Sequence, residues 1–390
     1  MNSQYIYIQT TPPQLVEMAS SSPSFRPLIK LVLLTFLLGL ARSKTINGRY
    51  KTIYCIGDSL ADTGNLASYN VTNTPPFPYG ETYFHRSTGR YSNGRLIIDF
   101  IAQEIGLPFI PPYLGGPGRH GFKWGANFAV SGATALPVSF LQAMGITPMA
   151  PMSLDVQLGW FKKFLPSICE STASCSDHFR ESLFFISEFG INDYDIMLLQ
   201  GIKRTQIRMF VPPVIKKIRR AIDTLIDHGA RTMVVGGSIP LGCTPIYLTL
   251  FGTQNRDDYE PGTGCLKWAN ELSEYHDHLL QKEIQRARRK HSHATIAFAD
   301  YYSILKLVFR SPNEYGFSSG RALIACCGGG GPYNVNMTNG CLGNTGKSGL
   351  SICRDPWSLV SWDGLHLTEA AYRVIARALS EGPYSVPPLA

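Results

Sequence analysis

The chain has 390 residues, 44% of them hydrophobic and 16% charged, so it can bury a substantial core. Its 37 glycines and 26 prolines imply many turns and long ordered loops. The formal charge of +8 gathers in two runs, Lys216-Lys217-Ile218-Arg219-Arg220 and Arg286-Ala287-Arg288-Arg289-Lys290, which lack interleaved aromatics. They read as solvated helix faces, so nucleic acid is not expected as a partner.

Arg26 and Lys30 lead into an apolar run over 31–40, and Ala41-Arg42-Ser43 follows with small residues at the two cleavage positions. This is the pattern of a secretory signal, with residues 1–43 as leader and 44–390 as one domain. Met18 is an alternative start. The apolar run is about half the length a bilayer-spanning helix needs, so no stable membrane insertion is expected.

Five apolar runs are expected as strands: 52–56, 127–130, 183–187, 232–236 and 295–299. Helical periodicity occupies 96–105, with Ile97, Ile98, Ile101 and Ile105 on one side. It returns over 214–228, where Gly229 supplies the stop, and 266–289 is expected as the longest helix. Strands alternating with helices predict an α/β domain with a parallel sheet.

The first strand runs into Gly57-Asp58-Ser59-Leu60. A strand end, a tight turn and a helix start expose a serine hydroxyl beside unpaired backbone N–H groups that favour negative charge. Taken alone, those four residues are equally a turn with Asp58 or Ser59 as helix cap. Three further blocks follow in order: Asn127-Phe128-Ala129-Val130-Ser131-Gly132, Gly190-Ile191-Asn192-Asp193-Tyr194 and Trp362-Asp363-Gly364-Leu365-His366. In the last, a spacing of three sets carboxylate and imidazole on one side of a helical turn, unless Asp363 merely caps a helix.

Nine cysteines suit an oxidising compartment. Cys169 with Cys175 and Cys243 with Cys265 bracket loops, and Cys326, Cys327, Cys341 and Cys353 cluster with their connectivity open. Cys55 remains as a buried free thiol. Asn70-Val71-Thr72 and Asn336-Met337-Thr338 are N-glycosylation acceptors. Residues 343–348 imitate a phosphate loop, but Cys341 stands where its first glycine belongs, so no nucleotide cofactor is expected. His276, His278, His291 and His293 lack matching cysteine or carboxylate spacing. They read as surface histidines, and no metal is expected.

Taken together, the four blocks resemble the GDSL esterase/lipase family (SGNH hydrolases) in its plant secreted branch, across nearly the whole mature chain. Tyr91-Ser92-Asn93-Gly94-Arg95, Pro240-Leu241-Gly242-Cys243 and the glycine-rich stretch from Cys326 to Asn334 add structural motifs to the resemblance. It implies a flavodoxin-like three-layer sandwich with a five-stranded parallel sheet. It implies Ser59 as nucleophile, His366 as base and Asp363 as its orienting carboxylate. The oxyanion donors would be the N–H groups of Ser59 and Gly132 and the Asn192 amide. Ile191 stands where many members have glycine, which puts the geometry of that loop in question. An α/β-hydrolase elbow is a poor match, because Ala61 replaces the last glycine of G-x-S-x-G.

The look is closest to sinapine esterases and acetylajmalan esterases. That implies a cofactor-free esterase, secreted or vacuolar, acting on small specialised-metabolite esters. An acyltransferase passing the same acyl group to an alcohol remains the alternative. A binding protein with a relic site is disfavoured by the intact blocks.

Overall fold

The computed structural model describes residues 46–70, 74–116, 118, 121–342 and 349–389. The leader over 1–43, the alternative start, Val71 and Thr72 of the first glycosylation acceptor, and the phosphate-loop lookalike at 343–348 lie outside the described residues.

The apolar runs form β1 (Thr52–Ile56), β2 (Gly125–Asn127), β3 (Ser182–Ile186), β4 (Thr232–Gly236) and β5 (Thr295–Ala299). All five are parallel, in the order β2-β1-β3-β4-β5, which is the flavodoxin-like doubly wound arrangement. Every residue of β1 and β3 is buried. Sheets covered on both faces select continuous apolar runs instead of alternation. A sixth strand absent from the sequence reading, β6 (Ser385–Val386), pairs antiparallel with β5 and covers its edge. Two residues are too few to leave a periodic signal.

β2 ends where the apolar run was expected to begin. Asn127 turns the chain out of the sheet, donating to Ala61 O at 2.6 Å and accepting from Ala129 N at 2.8 Å. Beyond it, Phe128 N–H still donates to Cys55 O and Val130 N–H to Gly57 O. The apolar residues 128–130 therefore follow β1 as an ordered loop.

The main helices are α1 (Ile97–Ile105), α2 (Leu154–Phe164), α3 (Ile191–Leu199), α4 (Val211–Asp227), α5 (Lys267–Lys290), α6 (Tyr301–Arg310) and α7 (Glu369–Glu381). α4 starts ahead of the expected 214 because Pro212 and Pro213 fit a first helical turn, which needs no intrahelical N–H donors. Its buried stripe includes Val214, Ile215, Ile218, Ile222 and Leu225. Each such side chain contributes roughly 1.5–3 kcal/mol by burial.

The step from β1 to β2 runs opposite to the steps from β2 through β5. Right-handed crossovers therefore send α1 to one face and α2, α4 and α5 to the other. The packing agrees, since α4 meets both α5 and α2, whereas α1 meets α7. At that reversal the carboxyl ends of β1 and β3 lie side by side, and an open α/β sheet forms its crevice there.

Disulfides join Cys169 to Cys175, Cys243 to Cys265, Cys326 to Cys353 and Cys327 to Cys341, and Cys55 is a buried free thiol. The basic runs lie along α4 and α5, where Lys217 pairs with Asp155 and Arg219 with Asp223. Two of the four histidines expected at the surface are instead buried. His276 hydrogen-bonds Tyr194 Oη through Nδ1 at 2.8 Å, and His291 reaches Asp223 Oδ1 at 2.6 Å. Burial lowers the His276 imidazole to about 3, so it is neutral. Its place on the inner stripe of α5 explains the difference. Among the described residues, no helix is long and apolar enough to cross a membrane.

Candidate active site

Ser59 follows β1 on a turn fixed from several sides. A Cβ on Gly57 would stand 2.6 Å from the Ser187 Cβ, so only glycine lets β1 and β3 close up at this point. Gln157 of α2 both donates to Gly57 O (2.8 Å) and accepts from its N–H (3.0 Å). Asp58 Oδ1 accepts from Leu60 N at 2.9 Å, closing an Asx turn around the serine. The turn holds Ser59 at only 6% exposure, less than a surface turn would give.

The Gly132 loop is laced to this turn by residues the sequence did not single out. Asp62, fully buried, accepts from Gly64 N and Asn65 N through Oδ1, and from Leu66 N and Ser131 N through Oδ2. Asn65 donates to Asn127 O and Ala129 O. Gly132 has φ +79°, a left-handed conformation costly for any residue with a side chain. Among the described residues, neither Ser59 N–H nor Gly132 N–H has a protein acceptor.

Asn192 enters from the first turn of α3, after β3. Its Nδ2 donates to Ala133 O at 3.1 Å and to Asp58 Oδ2 at 3.3 Å. Both amide hydrogens thus have acceptors, and the amide is not the open donor the sequence implied. Asp193 next to it accepts from Ala135 N and Leu136 N, anchoring the far side of the Gly132 loop. Burial pushes its carboxyl up to about 7 against those two donors. Ile191 is buried and helical, a conformation that any L-residue adopts, so it leaves Asn192 in place.

Asp363 and His366 do not lie on a helix. The segment is a closed turn in which Trp362 N donates to His366 O and Gly364 N to Ser361 Oγ. The helix after it, α7, starts at Glu369 and is capped by Thr368, so Asp363 is not its cap. The three-residue spacing still works, because Asp363 Oδ1 accepts from both Leu365 N (3.0 Å) and His366 N (2.7 Å). His366 Nδ1 lies 2.6 Å from Asp363 Oδ2, and His366 Nε2 lies 2.8 Å from Ser59 Oγ. The carboxylate makes Nδ1 the protonated nitrogen, which leaves Nε2 to accept the serine proton.

Tyr79 and Tyr91 complete these surroundings; Tyr79 was not singled out in the sequence, and Tyr91 entered only as part of a structural motif. Tyr79, 1% exposed, donates from its hydroxyl to Asp363 Oδ2 at 2.8 Å. The Tyr91 ring stands 4.8 Å from the imidazole, centroid to centroid. Burial raises the Asp363 carboxyl, but the His366 charge and the hydrogen bonds from His366 and Leu365 outweigh it and hold Asp363 below the usual carboxylate range. Among the described residues, no group of three or more His, Cys, Asp or Glu side chains is placed to hold a metal ion. Of the glycosylation candidates, Asn70 and Asn336 are both exposed.

At the β1/β3 reversal a serine, an imidazole and a carboxylate stand in one hydrogen-bonded line, an arrangement suited to a hydrolase acting through a hydroxyl. The profile of the GDSL-like Lipase/Acylhydrolase family matches residues 53–379, and the chain belongs to that family as a carboxylic ester hydrolase. It is 46% identical over 363 residues to a GDSL esterase/lipase of Arabidopsis thaliana, covering 92% of each chain. Another Arabidopsis GDSL esterase/lipase is 44% identical over 369 residues, or 94% of this chain and 92% of the relative. The sinapine esterase of Brassica napus is 44% identical over 354 residues, covering 89% of this chain and 90% of its own.

Proposed function

We propose that the chain hydrolyses esters through an acyl-enzyme on Ser59. As Ser59 Oγ bonds to the ester carbonyl carbon, its proton passes to His366 Nε2, and Asp363 stabilises the imidazolium. The negative charge on the carbonyl oxygen meets the N–H groups of Ser59 and Gly132. Asn192 joins them by exchanging its longer contact to Asp58 for the oxyanion. The tetrahedral intermediate collapses, the alcohol leaves with the proton from His366, and water repeats the sequence to release the acid. No cofactor enters.

The observation that carries this reading is the unbroken hydrogen-bond line from Ser59 Oγ through His366 to Asp363. The substrate class we assign, small esters of plant specialised metabolites, rests on the likeness to sinapine esterase. The basic and apolar leader pattern and four disulfides support passage through the secretory pathway to the extracellular space or vacuole, with Asn70 and Asn336 as glycosylation sites. A fluorophosphonate probe should label wild-type protein at Ser59. Ser59→Ala should lose both labelling and turnover, by several orders of magnitude. Wild-type hydrolysis by folded Ser59→Ala overturns the reading.

A further inference from the structure

Behind Ser59 and Asn192 lies a second carboxyl pair that the mechanism above leaves unused. Glu188 sits just past the end of β3, fully buried, and its Oε1 accepts from Ile191 N at 3.1 Å. Its Oε2 is buried without a donor partner. Glu188 and Asp58 shift one another's titration, Glu188 upward and Asp58 downward, as a carboxylic acid donating to a carboxylate does. Two carboxylates cannot both stay ionised there without a large cost, so the pair holds one proton.

The donors around each group decide where that proton sits. Asp58 receives N–H groups on both oxygens, from Leu60 and from Asn192. Glu188 receives only one, which leaves Oε2 to carry the hydrogen. Above about pH 6, Asp58 is therefore the anion and Glu188 the neutral donor. Burial and the Asp58 charge both push Glu188 well above the usual carboxyl range, and Asp193 on α3 pushes the same way.

We infer that Glu188 is a positioning residue for the oxyanion site: its carboxyl proton, donated to Asp58, weakens the hold of Asp58 on the Asn192 amide. Asp58 accepts the same amide that the oxyanion needs. A bare carboxylate there competes for the amide and repels the charge developing beside it. With one lone pair occupied by the Glu188 proton, it yields the amide more readily. The benefit comes in the transition state, so it belongs to kcat and not to KM.

The sign with pH follows. Deprotonation of Glu188 adds a second negative charge beneath the site, so kcat should fall on the alkaline side while KM holds. Other titratable groups near Glu188 are Asp193 and Tyr194 on α3, Tyr301 on α6 and Tyr247. Asp195 and His366 also act on the Asp58 side. The three tyrosines are raised well above their ordinary value by burial and do not titrate in the working range.

The inference rests on the oxyanion role of Asn192, and the test separates the two. Glu188→Leu should lower kcat roughly 10- to 100-fold at unchanged KM, the scale of a lost hydrogen bond to a charged group. Glu188→Gln, whose amide donates as the protonated acid does, should restore most of that loss and lack the alkaline decline. In an Asn192→Ala background, Glu188→Leu should cost little more, because the group it serves is gone. If Glu188→Gln falls as far as Glu188→Leu, or keeps the wild-type alkaline decline, the proton-donor role is overturned. Additive losses in the double variant overturn the route through Asn192. Should Glu188→Leu fail to fold, the Glu188→Gln pH profile decides alone. An unimpaired Asn192→Ala single variant would instead refute the oxyanion reading itself.

Discussion

Tyr79 stands 284 positions before Asp363, yet its hydroxyl donates to the carboxylate oxygen that also meets His366. Removing a donor to an ionised partner costs roughly 1.5–3 kcal/mol. Tyr79→Phe should therefore lower kcat about tenfold with KM unchanged, as the carboxylate loses one of the bonds that aim it at the imidazole. A steady-state assay on folded Tyr79→Phe decides it, and unchanged kcat would leave Tyr79 only a packing role. Asn192 gives a sharper case at the same scale. Asn192→Ala should lower kcat about 100- to 1000-fold, the usual cost of one oxyanion donor. Asn192→Asp should be at least as poor, since it places a second carboxylate against Asp58. A residue that only shaped the turn would tolerate aspartate. Ser59, Asn192, Asp363 and His366 were legible because each sits in a short block of recognisable neighbours. Tyr79, Asp62 and Gln157 were not, because their partners lie far along the chain and nothing local marks a residue whose use is a distant hydrogen bond. Glu188 left a faint mark, as a charge two residues past the end of β3.

Elements were legible in proportion to their burial and length. β1, β4 and β5 coincide with their expected apolar runs, and α5 spans nearly the expected range. The errors came where side chains compete with the ladder, as Asn127 does, or where a turn imitates helical spacing, as at Asp363. The glycine-rich segment near the carboxyl terminus carries its own consequence. Cys326 N donates to Ser361 O and Cys327 N to Trp362 O, while Cys341 O accepts from Tyr79 Oη. The Cys326–Cys353 and Cys327–Cys341 bridges thus brace the backbone that leads into Asp363. A native bridge typically contributes about 2–4 kcal/mol. Replacing Cys327 and Cys341 together by serine should abolish most hydrolysis while far-UV circular dichroism stays near wild type. The same replacement at Cys169 and Cys175, which close a short loop ahead of β3 in the chain, should leave kcat within about threefold. Equal losses in both double variants would show a general effect of bridge removal and not a brace on the base.

At the scale of the whole molecule, the parallel sheet followed from alternating strands and helices and its flavodoxin-like arrangement from the family resemblance, whereas the charge state of the interior did not, because burial has no local signature. Burial pushes Asp58 up to about 6, and Asp193 and Asp195 up to about 7. These groups hold protons in the native state at pH values where the unfolded chain has released them, so their ionisation destabilises the fold. Stability falls as pH rises from the ordinary aspartate value, near 4, to about 7. The carboxylates held low, Asp363, Asp223 and Glu260, act in the opposite direction, but they do so below that window. His276 opposes this fall, since it is neutral in the fold while the unfolded chain protonates it below about pH 6.5, but it is one group against three carboxyls. Urea unfolding should therefore give a higher midpoint at pH 5 than at pH 8, at similar slope, with a difference of about 2 kcal/mol or more. Asp195 offers the control, since it accepts from Tyr247 Oη at 2.5 Å and lies outside the Ser59–His366–Asp363 line. Asp195→Asn removes one of the ionisations and should flatten the decline, gaining on wild type at pH 8 and not at pH 5. A midpoint that rises from pH 5 to pH 8, or an Asp195→Asn curve parallel to wild type, would show that the buried carboxyls ionise without cost to the fold.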